Sequence, residues 1–429
     1  MSKNIILYSY SLNRSDKRGV YQYTRSLLNS LVSTDFDLSL ITQLYDVDSL
    51  DVLSEYMSNP NKYFSEFGGD TKVLLKYLEN LFGEDVYTCF SLYNNIRDFE
   101  ALSNIINNPI IYYRNNINLL LPFDRFVKSI DIPFLNGSDI IFTDMPLAIK
   151  SNRHKIVQTV HDIIPIQEKR KFYQYFYKRL KSTTYANKIL CVSEYTRQQY
   201  LNYFPRMEDR TEVVYQPLPA NDEAIQLSAL PEIQQQVLNK FKLKPKQYMY
   251  YVGAIEHRKN IHTLIKAYGL ATGHDKSLPL VISGSVDHKY IKEHKLCEHF
   301  EGFENYEPSS SNIMKTDFVS DVEKLVLLRN CRAFLFPTLS EGFGIPVIEA
   351  QTVGVPVLTS NNTSLPEVTN GSALLLDDPL DVDEMQISIQ KLWSDDLLVS
   401  NLTQKGLTNS LRFTKQKFSE NLCVFLKNV

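Results

Sequence analysis

The sequence predicts an α/β protein of two parallel-sheet domains, and three observations carry that expectation. Short apolar runs rich in β-branched and aromatic residues alternate with segments of helical period along most of the chain, the pattern of strands covered on both faces by helices. A length of 429 residues suits two domains rather than one. At 43% hydrophobic and 22% charged, the chain can fill two cores and is neither collagenous nor disordered.

The second half shows the pattern most cleanly. Continuous apolar runs predict strands at 247–252, 278–283, 332–337, 355–359 and 373–376, with helices at 261–270, 321–329 and 381–393 between them. Such a Rossmann-like sheet binds its ligand beyond the carboxyl ends of its strands. In the first half, strands are expected at 4–8, 36–41, 139–142, 156–160 and 189–192, and helices at 20–31 and 194–203. Between 45 and 136 the alternation lapses. Helical stretches at 74–82 and 99–106 stand there without strands, so the region reads as an insertion. Pro217, Pro219, Ala220, Asn221 and Asp222 form a turn-rich stretch ahead of a helix at 232–241 and mark the domain boundary. The expected domains are therefore 1–217 and 218–412, with a last helix in 413–429 as a candidate to cross back to the first domain.

A net charge of −3 gives no field that would gather nucleic acid. The five cysteines are odd in number, scattered and free of C-x-x-C spacing, which argues against a disulfide framework or zinc knuckle and fits a reducing cytoplasm. The apolar stretch 5–8 is too short for a signal-peptide core, and no run approaches the ~18 apolar residues of a membrane helix. A cytoplasmic protein is expected, at most resting on the inner membrane surface. The basic, aromatic segment 169–181 is the candidate for peripheral membrane contact. Its other reading, an amphipathic helix with aromatics in the core and cations in water, takes precedence. Asp46 with Asp48, and Asp381 with Asp383, mimic a D-x-D metal motif, but neither is expected to bind metal: the second pair falls at a helix start, where acids suit the helix dipole.

Glycine use points to the site. There are only 15 in the chain, where average usage near ~7% would give about twice as many. Nine of them fall between Gly253 and Gly371. After the strand at 332–337 comes Ser340-Glu341-Gly342-Phe343-Gly344-Ile345-Pro346-Val347-Ile348-Glu349-Ala350. Two glycines let backbone approach a ligand, Pro346 suits a first helical turn, and free amides at a helix start attract anions. Glu341 and Glu349 bracket that turn. By itself the segment is as readily a tight turn as a binding site. A second segment, Gly253-Ala254-Ile255-Glu256-His257-Arg258-Lys259-Asn260, again joins a strand end to a helix start. Arg258 and Lys259 there could neutralise a diphosphate, or could simply be two exposed cations. Both segments, with Gly284 closing a further strand, fall at carboxyl ends of strands in one sheet, which favours a ligand site.

These segments, together with Gly354-Val355-Pro356-Val357-Leu358-Thr359-Ser360 and Leu365-Pro366-Glu367, resemble a retaining glycosyltransferase of the family 4 type, the glycosyl transferases group 1. The resemblance covers essentially the whole second domain. It extends more thinly to Arg18-Gly19-Val20-Tyr21-Gln22-Tyr23-Thr24, Val160-His161-Asp162-Ile163-Ile164-Pro165 and Cys191-Val192-Ser193-Glu194. It implies the GT-B fold, two Rossmann-like domains facing across a cleft. The implied reaction is transfer of a hexosyl group from a nucleoside diphosphate sugar to a saccharide or lipid-linked saccharide hydroxyl, with retention, in polysaccharide or glycoconjugate biosynthesis, without metal or other cofactor. By the same resemblance Glu341 contacts donor sugar hydroxyls, the backbone of Gly342, Phe343 and Gly344 surrounds sugar and phosphate, and Glu349 binds the ribose diol. Arg258 and Lys259 stabilise the leaving diphosphate. His161 lies near the reacting sugar, its alternative being a strand-end cap. Gly19 lets a first-domain loop approach donor and acceptor, and Gly253 does the same for the second domain. Many relatives place arginine after the glycine matched by Gly253; here Ala254 stands there, so phosphate binding rests more heavily on Arg258 and Lys259. The alternatives are a GT-B sugar-nucleotide epimerase, which needs further acid/base residues, and a silent binding subunit.

Overall fold

The computed structural model describes residues 4–9, 19–32, 36–43, 111–113, 128–129, 140–169, 173–219, 222–296, 312–316 and 318–429. Chain contacts divide it into two units: Met1–Val192, Thr196–Gln216 and Phe418–Val429 form the first, and Ser193–Tyr195 with Pro217–Lys417 form the second.

The first unit contains β1 (Asn4–Ser9), β2 (Asp37–Gln43), β3 (Ile111–Tyr113), β4 (Lys128–Ser129), β5 (Ile140–Thr143), β6 (Ile149–Lys150), β7 (Lys155–Val160), β8 (Lys188–Cys191) and β9 (Thr211–Val213). Seven of them form one sheet in the order β3-β2-β1-β5-β7-β8-β9, and β4 pairs with β6. Every pairing is parallel. The central strand β5 is buried at all four positions, as expected of a parallel strand covered on both faces. Helix Gly19–Val32 buries Tyr23, Leu27, Leu28 and Leu31. Phe418 of the last helix, Lys415–Lys427, meets Tyr23 at 6.1 Å between ring centroids, and Ser419 Oγ donates to Ser30 O at 3.3 Å.

The second unit contains β10 (Met249–Val252), β11 (Leu280–Ser283), β12 (Ile313–Thr316), β13 (Phe334–Phe336), β14 (Val357–Ser360) and β15 (Leu374–Leu376), in the order β12-β11-β10-β13-β14-β15. These pairings too are all parallel. Helix Asp321–Asn330 opens with a capping box: Ser320 Oγ accepts from Glu323 N at 3.2 Å and Glu323 Oε2 accepts from Ser320 N at 2.8 Å, which satisfies two amides the helix cannot. Helix Ile261–Thr272 stops at Gly273, whose φ of +62° suits a residue without a side chain.

Several expectations need correcting. The strands of the second unit are shorter than the apolar runs that announce them, whereas β1, β2 and β7 of the first each run one residue longer; β3, β4, β6, β9 and β12 were not foreseen, nor was helix Asp396–Ser410. Most of the region 45–136, with the helices expected at 74–82 and 99–106 and the Asp46–Asp48 pair, lies outside the described residues, although β3 and β4 fall within it. The basic segment contributes helix Tyr173–Ser182, which buries Leu180 and Ser182. Its Arg179 turns inward, donating from Nε at 3.0 Å and Nη2 at 2.6 Å to the Pro146 carbonyl, while Lys178 and Lys181 stay exposed. Asp381 caps helix Val382–Ser394, accepting from Asp383 N at 2.8 Å and Glu384 N at 3.1 Å. Among the described residues no helix is long and apolar enough to cross a membrane, and no group of three or more His, Cys, Asp or Glu could hold a metal ion.

Candidate functional site

The parallel sheet of the second unit delivers three segments to one edge. β11, β10 and β13 are neighbours running the same way, so Gly284, the 253–260 segment and the 338–344 segment all follow carboxyl ends of adjacent strands. Contact between the first two is tight. Gly253 N donates to Ser283 O at 3.0 Å, and a Cβ on Gly284, at φ +143°, would lie 1.9 Å from Gly253 O. Only glycine fits there. A Cβ on Gly253 would meet the Tyr251 hydroxyl at 2.7 Å, and that hydroxyl donates to Ala254 O at 3.1 Å.

Arg258 and Lys259 occupy a 3-10 turn, His257–Lys259. It is tied to the segment after β13 because Arg258 O accepts from Leu339 N at 2.8 Å and from Thr338 Oγ1 at 3.0 Å. Asn260, left-handed at φ +58° and buried, closes the turn by donating to Pro337 O at 3.1 Å and Pro379 O at 2.6 Å. The two cations converge on one carboxylate oxygen. Arg258 Nη1 pairs with Glu341 Oε1 at 2.8 Å, Lys259 Nζ pairs with the same atom, and Thr338 Oγ1 donates to it at 3.3 Å. Arg258 Nη1 also donates to Ser340 O at 2.9 Å, and Nη2 pairs with Glu256 Oε1 at 2.9 Å. Lys259 is 7% exposed, with its ammonium 4.6 Å from the centroid of the Phe336 ring, a cation–π geometry. Burial pushes the Glu341 carboxyl up, yet Lys259 and Arg258 outweigh it and leave it below its ordinary value. For Lys259 burial prevails over Glu341, and the ammonium sits below its ordinary value.

The segment after β14 braces this arrangement. Glu341 N donates to Thr363 Oγ1 at 3.2 Å, and Ser364 Oγ donates to Glu341 O at 3.1 Å and Phe343 O at 2.9 Å. Gly342 is buried. The Phe343 ring belongs to the packing, edge-on to Phe413 at 5.4 Å. Gly344, at φ +107°, precedes helix Ile345–Thr352, and a Cβ there would meet Leu365 Cδ2 at 2.8 Å. Glu349 lies on that helix, 4% exposed, its Oε1 paired with Lys324 Nζ at 2.7 Å.

Of the site residues expected from sequence, Gly253, Arg258, Lys259, Gly284, Glu341, Gly342, Phe343, Gly344 and Glu349 belong to the second unit; Gly19 and His161 belong to the first. His161 follows β7. Its Nε2 lies 2.8 Å from Asp144 O, and since a carbonyl can only accept, Nε2 carries a proton. Its ring meets Tyr23 edge-on at 4.6 Å. Burial pushes the imidazole below its ordinary value despite the Asp144 carbonyl and the carboxylates of Asp162 and Asp144, which raise it. Gly19 opens helix Gly19–Val32 at φ +28°. Sequence reasoning missed Glu256, Thr338, Thr363, Ser364 and Lys324. Glu256 stands two residues before Arg258, so a charge-pair search would have found it; the others reach their partners only through the fold.

The family model described as Glycosyl transferases group 1 matches residues 234–408. The O-antigen chain mannosyltransferase B of Escherichia coli is 32% identical over 287 residues, which is 64% of this chain and 71% of that protein. The serotype-specific mannosyltransferase WbdA of Escherichia coli is 29% identical over 268 residues, 61% of this chain; the match spans only 32% of that relative's length. Among solved structures, Anabaena HepE in complex with UDP and glucose superposes with a TM-score of 0.62 at 14% identity, over 99% of this chain and 100% of that one. WaaG, a glycosyltransferase involved in lipopolysaccharide biosynthesis, does so with a TM-score of 0.59 at 13% identity, over 97% and 98%. The fold is that of these GT-B proteins.

Proposed function

The chain belongs to the group 1 glycosyltransferases, and we propose that it transfers a hexosyl group from a nucleoside diphosphate sugar to a hydroxyl acceptor during polysaccharide or glycoconjugate assembly. The mannosyltransferase relatives favour mannose as the sugar. The observation that carries the reading is the convergence of Arg258 and Lys259 on Glu341, at adjoining strand ends inside the family-matching region. A departing diphosphate needs fixed positive charge where its own charge grows, and a buried lysine beside an arginine fork supplies it without solvent reorganisation. In this proposal Glu341 also orients sugar hydroxyls, the Gly253, Gly284, Gly342, Phe343 and Gly344 backbone lines the donor, and Glu349 takes the ribose diol.

The proposed transfer proceeds with retention and needs no metal or other cofactor. The bond from anomeric carbon to phosphate oxygen breaks, its electrons leave with the diphosphate, the acceptor hydroxyl attacks from the same face, and its proton passes to the departing phosphate. His161 and Gly19 are assigned to the acceptor side, and the setting to the cytoplasm. The acceptor is a saccharide, free or lipid-linked; in the second case exposed Lys178 and Lys181 supply contacts to an anionic surface, checked by sedimentation with anionic vesicles at low salt.

A thermal-shift panel of GDP-mannose, UDP-, dTDP- and ADP-sugars tests the donor. A ligand at about a hundred times its dissociation constant adds roughly 2.7 kcal/mol, so one nucleotide class should raise the transition clearly, and product analysis should then show transferred sugar with unchanged anomeric configuration. Absence of any shift across the panel would defeat the proposal.

A further inference from the structure

Glu349 is a carboxylate with 5% of its side chain exposed, on the second turn of helix Ile345–Thr352. An ionised carboxylate at such a depth is costly unless paired, and its partner is Lys324, on the facing helix Asp321–Asn330. Lys324 is itself mostly covered, 17% exposed, and also reaches Asp321 at 3.2 Å. Burial pushes its ammonium down, but Glu349 and Asp321 more than restore it, so the lysine keeps its charge. Buried Tyr250 of β10 lies within electrostatic reach of both Glu349 and Glu323. Glu323 has its own cation in Lys240, at 2.6 Å, and Lys324 is the cation on Glu349. Among the described residues, Lys324 meets Glu349 at Oε1.

A vicinal diol presents two O–H donors and is best met by an ionised carboxylate, which accepts at both oxygens; once protonated, the acid turns one oxygen into a donor. Resting on the nucleotide-sugar reading above, we propose that Lys324 is a positioning residue for the nucleotide ribose: by pairing with Glu349 Oε1 it fixes the carboxylate and leaves Oε2 for the diol. Lys324 acts through Glu349. A pair that merely ties two helices together would contribute to stability without regard to the ribose.

The test is calorimetric titration of the intact protein with GDP and with UDP, each against its 2′,3′-dideoxy analogue, for wild type, K324M and K324R. Wild type should prefer the ribonucleotide. Losing one charge-assisted hydrogen bond costs on the order of tenfold to a hundredfold in affinity, so K324M should weaken the ribonucleotide by that factor, leave the dideoxy analogue within about twofold, and thus erase the preference; K324R should keep most of it. A folded K324M with undiminished ribose preference overturns the inference, as does a wild type that binds nucleotide without that preference, and in both cases the nucleotide reading survives. Binding of neither nucleotide overturns both. If K324M does not fold, K324Q replaces it, since it keeps a donor but not the charge; a full preference retained there is equally fatal.

Discussion

A buried ammonium over the Phe336 ring and against Glu341 is held in place by one carboxylate that it shares with Arg258. Removing either partner therefore has two separable effects. Lys259→Ala and Glu341→Ala should each lower sugar transfer by roughly a hundredfold to a thousandfold, the scale found when a fixed charge-stabilising donor is lost; steady-state kinetics on the donor found by the thermal panel measure this. Glu341→Ala also strands Lys259 without compensation, so chemical denaturation should show a loss of about 3–5 kcal/mol. If both variants transfer sugar at the wild-type rate, the assignment of this trio fails. Gly284 allows a sharper contrast: its Cβ would lie 1.9 Å from Gly253 O, whereas Gly371, at φ +75°, has open space around it. Gly371→Ala should cost only the left-handed backbone term, about 1–2 kcal/mol, and Gly284→Ala distinctly more, read from urea midpoints. The pair of cations and Glu341 stood out in sequence because they fall at strand-to-helix joints, and Glu349 because it lies on the helix that follows Glu341. Their mutual neutralisation was not, since Lys259 and Glu341 meet across 82 positions, and a linear pattern holds no information on which charge a cation finds.

Elements were legible where one force dominates. Helix Glu194–Tyr203 was expected at the same bounds, and the buried strands of the second unit announced themselves as apolar runs. β9 and β12 escaped notice because Thr211–Val213 is three residues with a central glutamate and Ile313–Thr316 carries a lysine; their pairing comes from the neighbouring strand rather than from their own pattern. Helix Ile261–Thr272 holds a feature that no periodicity reveals. The His262 ring stacks on His294 at 4.3 Å, and its Nδ1 lies 3.0 Å from the Tyr290 hydroxyl. Burial, with His294 and His257 nearby, pushes its pKa down to about 4. An unfolded histidine titrates near ~6.5, so as pH falls from there toward 4 the unfolded chain takes up a proton that the folded helix start refuses. Stability must drop across that window. Thermal unfolding should occur at lower temperature at pH 5 than at pH 7.5, and H262Q should narrow the difference; an equal pH response in H262Q would remove His262 as the cause.

At the scale of the molecule, each unit has its own parallel sheet and its own core, and it was the strand–helix alternation, repeated in both halves, that made this architecture readable. Which unit the final residues join was a matter of contacts: Phe418, Leu422, Phe425 and Leu426 are buried with the first unit, hydrophobic spacing that would have served a helix on either. The division of labour has a measurable consequence. If donor recognition resides in the second unit, a nucleoside diphosphate bound to the intact protein should slow amide exchange at the strand ends around Gly253 to Asn260, Ser283 to Gly284 and Leu339 to Gly344. For amides that exchange through openings which release the ligand, saturation at about a hundred times the dissociation constant should slow exchange on the order of a hundredfold. The core strand β5 of the first unit, already fully buried, supplies an internal reference that nucleotide should leave alone. Protection that gathered instead on the segment after β7, around His161, with the 253–260 and 339–344 segments unchanged, would place nucleotide recognition in the wrong unit and sink the donor assignment, even if the transferase activity itself were demonstrated.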